Sequence, residues 1–241
     1  MNTDAALLSN LKFKRIDASR PAGDQIFKSI KRAILQMDLT PGCIVSESDI
    51  ASKFGASRTP VREAFMRLRE AGLVETFPSR GNFVSRLNKQ KILESRFLRE
   101  ALEIANIRRL VTEGVPDQSR RKLESILTAQ KTAAENGDAA AFGKLDDAFH
   151  LELALATGFA RAASVLETEK MILDRLRVLS LSDKSHLEFL YNEHMRIYEA
   201  IRDQDMEKAL RMGRIHFRSI LKLMSNLEEH HADYFDDEFP I

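Results

Sequence analysis

Residues Ser46 to Phe83 read SESDIASKFGASRTPVREAFMRLREAGLVETFPSRGNF. Ser46 offers the hydroxyl of an N-cap, and Asp49 three residues on supplies a weaker form of the capping box. The helix that follows turns Ile50, Ala51 and Phe54 inward. Gly55 ends it, because glycine takes the left-handed conformation that closes a helix at little cost. A second helix opens at Ser57-Arg58-Thr59-Pro60, where the missing proline N–H falls in the first turn and leaves no bond unmade. At about 100° per residue, Val61, Ala64 and Leu68 share one side, while Arg58, Arg62 and Arg69 fall within about 40° of one another on the other. Guanidinium forks along one exposed edge suit guanine edges and phosphate oxygens.

From Ala71 to Phe77 the chain reads as extended, and Pro78-Ser79-Arg80-Gly81 turns it back into Asn82-Phe83-Val84. Arg80 stands at the hairpin tip, suited to a minor groove or a phosphate backbone. Helix, glycine turn, arginine helix and hairpin are the layout of a winged helix-turn-helix.

Length and composition agree. The 241 residues are enough for one large or two ordinary domains, and 44% apolar with 30% charged residues is the balance of a soluble globule. The net charge of +1 hides an asymmetry: residues 1–88 hold 14 Lys/Arg against 9 Asp/Glu, which leaves the remainder acidic. A basic half meets a polyanion and an acidic half does not. Cys43 is the single cysteine, which excludes an intrachain disulfide or a cysteine metal cluster. No stretch approaches the roughly 18 apolar residues of a membrane span, and no leader is recognisable, so a cytoplasmic protein is expected.

After Val84 the alternation ceases. Helical periodicity runs from about Lys89 to Leu227, broken at Gly114-Val115-Pro116, Asn136-Gly137-Asp138, Gly158, Ser182-Asp183 and Asp203-Gln204-Asp205. This predicts helices over 89–113, 117–135, 138–157, 160–181, 185–202 and 206–227. The expected division is a mobile extension at 1–20, a DNA-binding domain at 21–86, a helical domain at 87–228 and a mobile tail at 229–241. The fold class is mainly α, with an antiparallel bundle behind the winged helix.

Asp146 and His150 stand four apart on one predicted helix and so point the same way. His194 lies about eight residues before the turn at 203–205 and His216 about ten after it, which at 1.5 Å per residue brings both imidazoles to one height in an antiparallel pair. Three imidazoles and a carboxylate converging in a bundle make a site for a divalent metal with positions left open. His186, His230 and His231 lack such partners and read as surface residues.

The N-terminal stretch closely resembles the GntR family of bacterial transcription regulators, through Ser46-Glu47-Ser48-Asp49-Ile50-Ala51, Gly55 to Ala64, Gly72-Leu73-Val74 and Arg80-Gly81. The preceding Asp24 to Met37 and Pro41-Gly42 match as well. The resemblance implies that Arg58 and Arg62 contact operator bases or phosphates, that Ser57 and Thr59 hold phosphates, and that Gly81 lets the wing approach the backbone. Ser48 stands where some members carry an arginine. The second half resembles the helical ligand-sensing domain of the FadR branch, called FCD, through Arg99 to Glu103, Asp146 to His150, and His194 to His216. Six helices resemble the VanR-type subgroup. This implies that Asp146, His150, His194 and His216 bind the metal and that Arg99 pairs with the carboxylate of a small effector. Zinc is the first choice, because neutral imidazole suits it; nickel and manganese accept the same ligands. Arg175 is expected to add a cation to the pocket and Arg177 to lie on a solvated face.

The expected protein is therefore not an enzyme. It is a homodimeric repressor on a palindromic double-stranded operator, released by a small organic acid bound at the metal. Three other readings use the same ligands: a metal-dependent hydrolase, a regulator sensing the metal itself, and a structural metal with the effector elsewhere. Against the hydrolase, no general base accompanies the ligands, since Glu193 is expected to point to the far side of its helix.

Overall fold

The computed structural model describes residue 11, residues 13–180 and residues 184–236, with the side chains of 179 and 180 excepted. These residues divide into two units. One holds the chain up to Lys89 together with the residues from Glu228 onward, and the other is Gln90–Leu227.

The first unit contains α1 (Ala22–Leu35), α2 (Glu47–Phe54), α3 (Arg58–Glu70) and the strands β1 (Val74–Phe77) and β2 (Gly81–Val84). The Ser46 hydroxyl caps α2 by accepting from the Asp49 amide, and Gly55 closes it at φ 60°. Ile26, Ile30 and Ile34 of α1 meet Val61, Phe65 and Leu68 of α3 in one fully buried core. The strands pair antiparallel from Val74 opposite Val84 to Phe77 opposite Gly81, and Ile44 bridges to Phe83 as a third rung.

In both terminal segments expected to be mobile, the described residues make packed contacts. Phe13 stacks on Phe54 with ring centroids 4.6 Å apart, and Leu11 and Ile16 pack against the same core, so this part of the extension is anchored by its apolar side chains. At the other end, Glu229 and His230 complete the last helix and Ala232–Tyr234 form a 3-10 turn. The Leu87 amide then donates to the Tyr234 carbonyl at 2.8 Å, and the Asp236 amide donates to the Leu87 carbonyl at 3.1 Å. Phe235, between them, is 3% exposed. A buried phenyl ring with flanking backbone bonds fastens the tail, which the mixed charge of the segment conceals. Phe235→Ala is expected to cost about 3 kcal/mol of unfolding free energy, as large-to-small core substitutions do. Urea unfolding followed by circular dichroism measures this, and an unchanged midpoint would rule the anchor out. The expected turn at Ser182-Asp183 and the last residues, 237–241, lie outside the described residues.

The second unit is a bundle of α4 (Lys89–Glu113), α5 (Asp117–Asn136), α6 (Ala139–Ala156), α7 (Ala160–Ser180), α8 (Lys184–Arg202) and α9 (Met206–His230). The turns are where the breakers stand. Gly137 closes α5 at φ 67°, and the Asp138 carboxylate caps α6 by accepting from the Ala141 amide at 2.9 Å. The α6 helix packs against α5 and α7, and α5 packs against α8. Ile107, Leu110, Leu123, Phe149, Leu153, Ile197, Ile201 and Phe217 fill the main core. This fixes the mid-helix turns of α4, α5, α6, α8 and α9 around one buried centre. Among the described residues, no helix is long and apolar enough to cross a membrane.

Candidate metal centre and nucleic-acid face

In the bundle, Asp146 and His150 come from α6, His194 from α8 and His216 from α9, and all four are buried. The Nε2 atoms of His150 and His216 lie 3.2 Å apart, and those of His194 and His216 3.3 Å apart. Asp146 Oδ1 is 3.5 Å from His194 Nε2. The three imidazoles expected from spacing thus converge, and Asp146 reaches the group at His194.

The opposite nitrogen of each ring is held. His150 Nδ1 meets Glu103 Oε2 at 2.6 Å, His216 Nδ1 meets Glu193 Oε2 at 2.8 Å, and His194 Nδ1 meets Gln130 Oε1 at 2.9 Å. The Gln130 amide nitrogen donates to the Leu145 carbonyl at 3.0 Å, which fixes its oxygen as the acceptor. In each neutral ring, therefore, Nδ1 carries the proton and Nε2 presents a lone pair. Three lone pairs aimed at one another within 4.8 Å repel unless a cation lies among them. Imidazoles held by carboxylate or amide oxygens at the remote nitrogen are the arrangement that metal ligands adopt. The donor set fits a divalent ion.

Charge around the centre is also arranged. Burial opposes ionisation of Asp146, but Arg177 and then the imidazoles outweigh it and hold its carboxyl well below the usual range. Arg177 Nη1 lies 2.5 Å from Asp146 Oδ2, which leaves Oδ1 for the centre. Its Nη2 donates to Asp147 at 2.5 Å, and Asp174 Oδ1 is 3.1 Å away. Arg177 is thus no solvated residue: it lines the cavity beside the centre, whereas Arg175, expected there, is buried and does not line it. Two positions along α7 turn a side chain by about 200°, so only one of the two arginines can face the cavity. Arg99 does line it, and its Nε and Nη2 both donate to Glu103 Oε1, at 2.9 and 2.6 Å. Glu193, expected on the far side of its helix, instead reaches His216. It does so because that ring stands between two residues of α8, Nε2 toward His194 and Nδ1 toward Glu193.

Glu103 and Gln130 are site residues that spacing alone does not single out. Both sit at buried positions of otherwise apolar helix faces, with Ile107 and Leu110 following Glu103 and with Leu123 and Leu127 preceding Gln130. A polar residue on such a face is the signal that could have found them.

Two buried groups give the metal-free protein an acid limit. Burial raises the Glu103 carboxyl, but His150 and Arg99 outweigh it and bring it down to about 2 from the ordinary 4.5. A depressed carboxylate contributes stability above 4.5 that is lost as pH falls toward 2. Burial and then the His216 charge push His194 well below 6.5, so from 6.5 downward the unfolded chain takes up a proton that the folded one refuses. Both act in one direction. The urea midpoint of chelator-treated protein is expected to fall steadily between pH 7.5 and 4, and a flat or rising profile would contradict this.

In the first unit, Arg58, Arg62 and Arg80 border one open groove together with Ser46, Ser48, Gly81 and Asn82. Ser57 and Thr59 are exposed at the start of α3. Arg62 lies 3.7 Å from Glu47, and Arg80 stands 6.0 Å from the centre of the Phe83 ring. The structure separates Arg69 from this group. Its guanidinium donates to Thr76 Oγ1 at 3.4 Å, and Thr76 donates onward to Asn82 at 2.6 Å, so Arg69 braces the wing.

An arginine-bordered winged helix-turn-helix in the same chain as a helical bundle with a buried cluster of three histidines defines a transcriptional regulator. Known proteins agree. Residues 22–84 match the family described as bacterial regulatory proteins, gntR family, and residues 94–219 match the FCD domain. The chain belongs to the GntR family of bacterial transcriptional regulators, in the branch that carries an FCD domain. It is 30% identical over 224 residues to the HTH-type transcriptional repressor RspR of Escherichia coli K12, covering 93% of this chain and 98% of RspR. Among solved structures, E. coli McbR/YncC superposes with a TM-score of 0.70 at 20% identity, over 85% of this chain and 98% of that one. A GntR-type regulator from Rhodococcus sp. RHA1 does so at 0.70 and 22%, over 84% and 97%. Regulators of this family bind DNA and are not enzymes, which removes the hydrolase reading.

Proposed function

We propose that this regulator is a homodimeric repressor whose hold on a palindromic operator is weakened by a small carboxylate bound at a zinc centre in the FCD domain. The observation that carries the reading is the convergence of three imidazole Nε2 atoms whose Nδ1 positions are each tied to Glu103, Gln130 or Glu193. His150, His194, His216 and the free oxygen of Asp146 would hold the ion. Zinc suits neutral imidazoles and a carboxylate best, with nickel and manganese as lesser fits. A bound divalent ion supplies a Lewis-acidic point at which an effector oxygen attaches.

The residues do the rest. Glu103, Gln130 and Glu193 keep the imidazoles in one tautomer and orientation. Arg177 keeps Asp146 ionised, and Arg99 lies at the cavity wall, braced by Glu103, as the cation for an effector carboxylate. In the other domain, Arg58, Arg62 and Arg80 read base edges or phosphates, with Ser57, Thr59 and the Gly81 wing against the backbone. For release, the effector must bind the free protein better than the operator-bound one, and each tenfold in that preference is worth about 1.4 kcal/mol.

The test is operator binding at fixed salt with the zinc-loaded protein and DNA from around its own gene, titrated with organic acids. One acid should weaken binding in the parent protein and have no effect on a His194→Ala variant that still binds DNA. Binding that follows zinc alone, whatever acid is present, would make the metal the signal instead.

A further inference from the structure

We infer that the segment from Leu11 to Arg20 is a second DNA-contacting element, an arm whose Lys14 and Arg15 neutralise duplex phosphates that the groove of Arg58, Arg62 and Arg80 does not reach. It belongs to the DNA-binding unit, so it acts whatever ligand the bundle takes.

The arm is fastened at both ends. Phe13 stacks on Phe54 at the end of α2, Leu11 and Ile16 pack on the same core, and Lys53 Nζ donates to the Leu11 carbonyl at 3.2 Å. Nearer α1, the Asp17 amide donates to Gln25 Oε1 at 2.9 Å. Gln25 Nε2 donates back to the carbonyls of Asp17 at 2.9 Å and Arg20 at 3.1 Å. Cations on a fastened segment lose little freedom when they meet an anion.

Its place is beside the residues that meet DNA. The first helix of a helix-turn-helix crosses the DNA backbone, and the second enters the major groove by its N-terminal residues. Leu11 and Phe13 lie on the last turn of α2, next to the Gly55–Ser57 turn into α3. Where the arm runs into α1, a Cβ added to Gly23 would stand 3.3 Å from the Pro60 carbonyl in the first turn of α3. The arginine groove instead takes in Glu47 and Ser48, at the opposite end of α2. With 8 residues α2 is about 12 Å long. One strand carries a phosphate about every 3.4 Å of axis, so arm and groove meet different phosphates.

The charge is available. Lys14 and Arg15 are exposed, and among the described residues neither makes an ion pair or a hydrogen bond. Asp17, the carboxylate of the segment, is engaged: it accepts from the Ser19 hydroxyl at 2.7 Å and the Ser19 amide at 2.9 Å, and lies 3.6 Å from Arg20. Lys12 adds a further cation to the sequence of the arm. A merely solvated stretch would need neither the Phe13 stack nor the Gln25 bonds, whereas cations held beside a reading helix suit phosphate oxygens.

Binding of the full chain to a random-sequence duplex and to DNA from around its own gene, across a salt series, tests the arm. The double change Lys14→Gln with Arg15→Gln should weaken both at least about tenfold and lower the slope of log affinity against log salt by about one per phosphate, two per protomer. Neither side chain has a partner in the described fold, so the Tm should not move. Lys131→Gln with Lys144→Gln, both exposed on the bundle, removes the same charge elsewhere and should leave the slope unchanged. Phe13→Ala keeps both cations but releases the arm from Phe54, and should lower affinity about threefold in a variant that circular dichroism shows to be folded. If the arm variant keeps the parent's affinity and slope, if the bundle variant loses as much, or if folded Phe13→Ala binds as the parent does, the arm is no fastened DNA contact. None of these results would touch the roles of Arg58, Arg62 or the metal centre.

Discussion

Replacing His194 by alanine is expected to weaken zinc binding by at least about 100-fold, since changing only an outer partner of a metal ligand already costs 10- to 100-fold. His194 is the most enclosed of the three imidazoles, with no exposed surface, and its ring stacks on Phe149 at 4.5 Å. The Gln130 amide fixes its Nδ1 as a donor, so its Nε2 lone pair can serve only the centre. Removing the ring leaves His150, His216 and Asp146, from α6 and α9, and takes away the ligand that α8 contributes. Stability gives an independent reading of the same effect. A ligand at 100 times its Kd stabilises the folded state by about 2.7 kcal/mol, so zinc should raise the Tm of the parent protein clearly and that of the variant hardly at all. Competition with a chromophoric chelator measures the affinity, and circular dichroism checks that the variant is folded. A folded variant that holds zinc within threefold of the parent would remove His194 from the ligand set.

The second large effect is expected at the DNA face. Arg58 and Arg62 are exposed on one edge of α3 and border the same groove as the wing residue Arg80. A guanidinium bidentate on a base contributes about 1–3 kcal/mol, so the double change Arg58→Ala with Arg62→Ala should reduce operator affinity by at least 100-fold at fixed salt. If either residue serves a phosphate instead, the slope of log affinity against log salt falls by about one for each phosphate that is no longer neutralised. Arg69→Ala is the comparison. That guanidinium is turned to Thr76, so its removal should loosen the wing and weaken binding only a little at every sequence. Electrophoretic mobility shift across a salt series separates these outcomes, and an unchanged affinity in the double variant would exclude this groove as the reading surface.

Much of this was legible in the sequence because it depends on local chemistry. A serine cap, a left-handed glycine and a proline in the first turn mark α2 and α3 without reference to anything distant. The six helices of the bundle likewise follow from periodicity and from breakers such as Gly137-Asp138. The meeting of His150, His194 and His216 was legible for a related reason: helical rise is constant, so spacing from a turn gives height along a helix. Where the reading failed, the missing information was rotational or non-local. Height along α8 says nothing of which neighbour faces Glu193, and the two arginines of α7 could not be told apart until the packing partner of each face was known.

The sequence by itself determined the class of fold, the order of its helices, the turn residues and the meeting of His150, His194 and His216, because caps, breakers and periodicity act within a few residues of one another. Only the tertiary structure decided that Arg177 rather than Arg175 faces the cavity, that Arg69 braces the wing, and that Glu103, Gln130 and Glu193 orient the imidazoles. It also decided that Phe235 fastens the tail beside Leu87. Each of these joins residues far apart in the chain, and such pairings are set by how faces pack, which spacing along one helix does not contain.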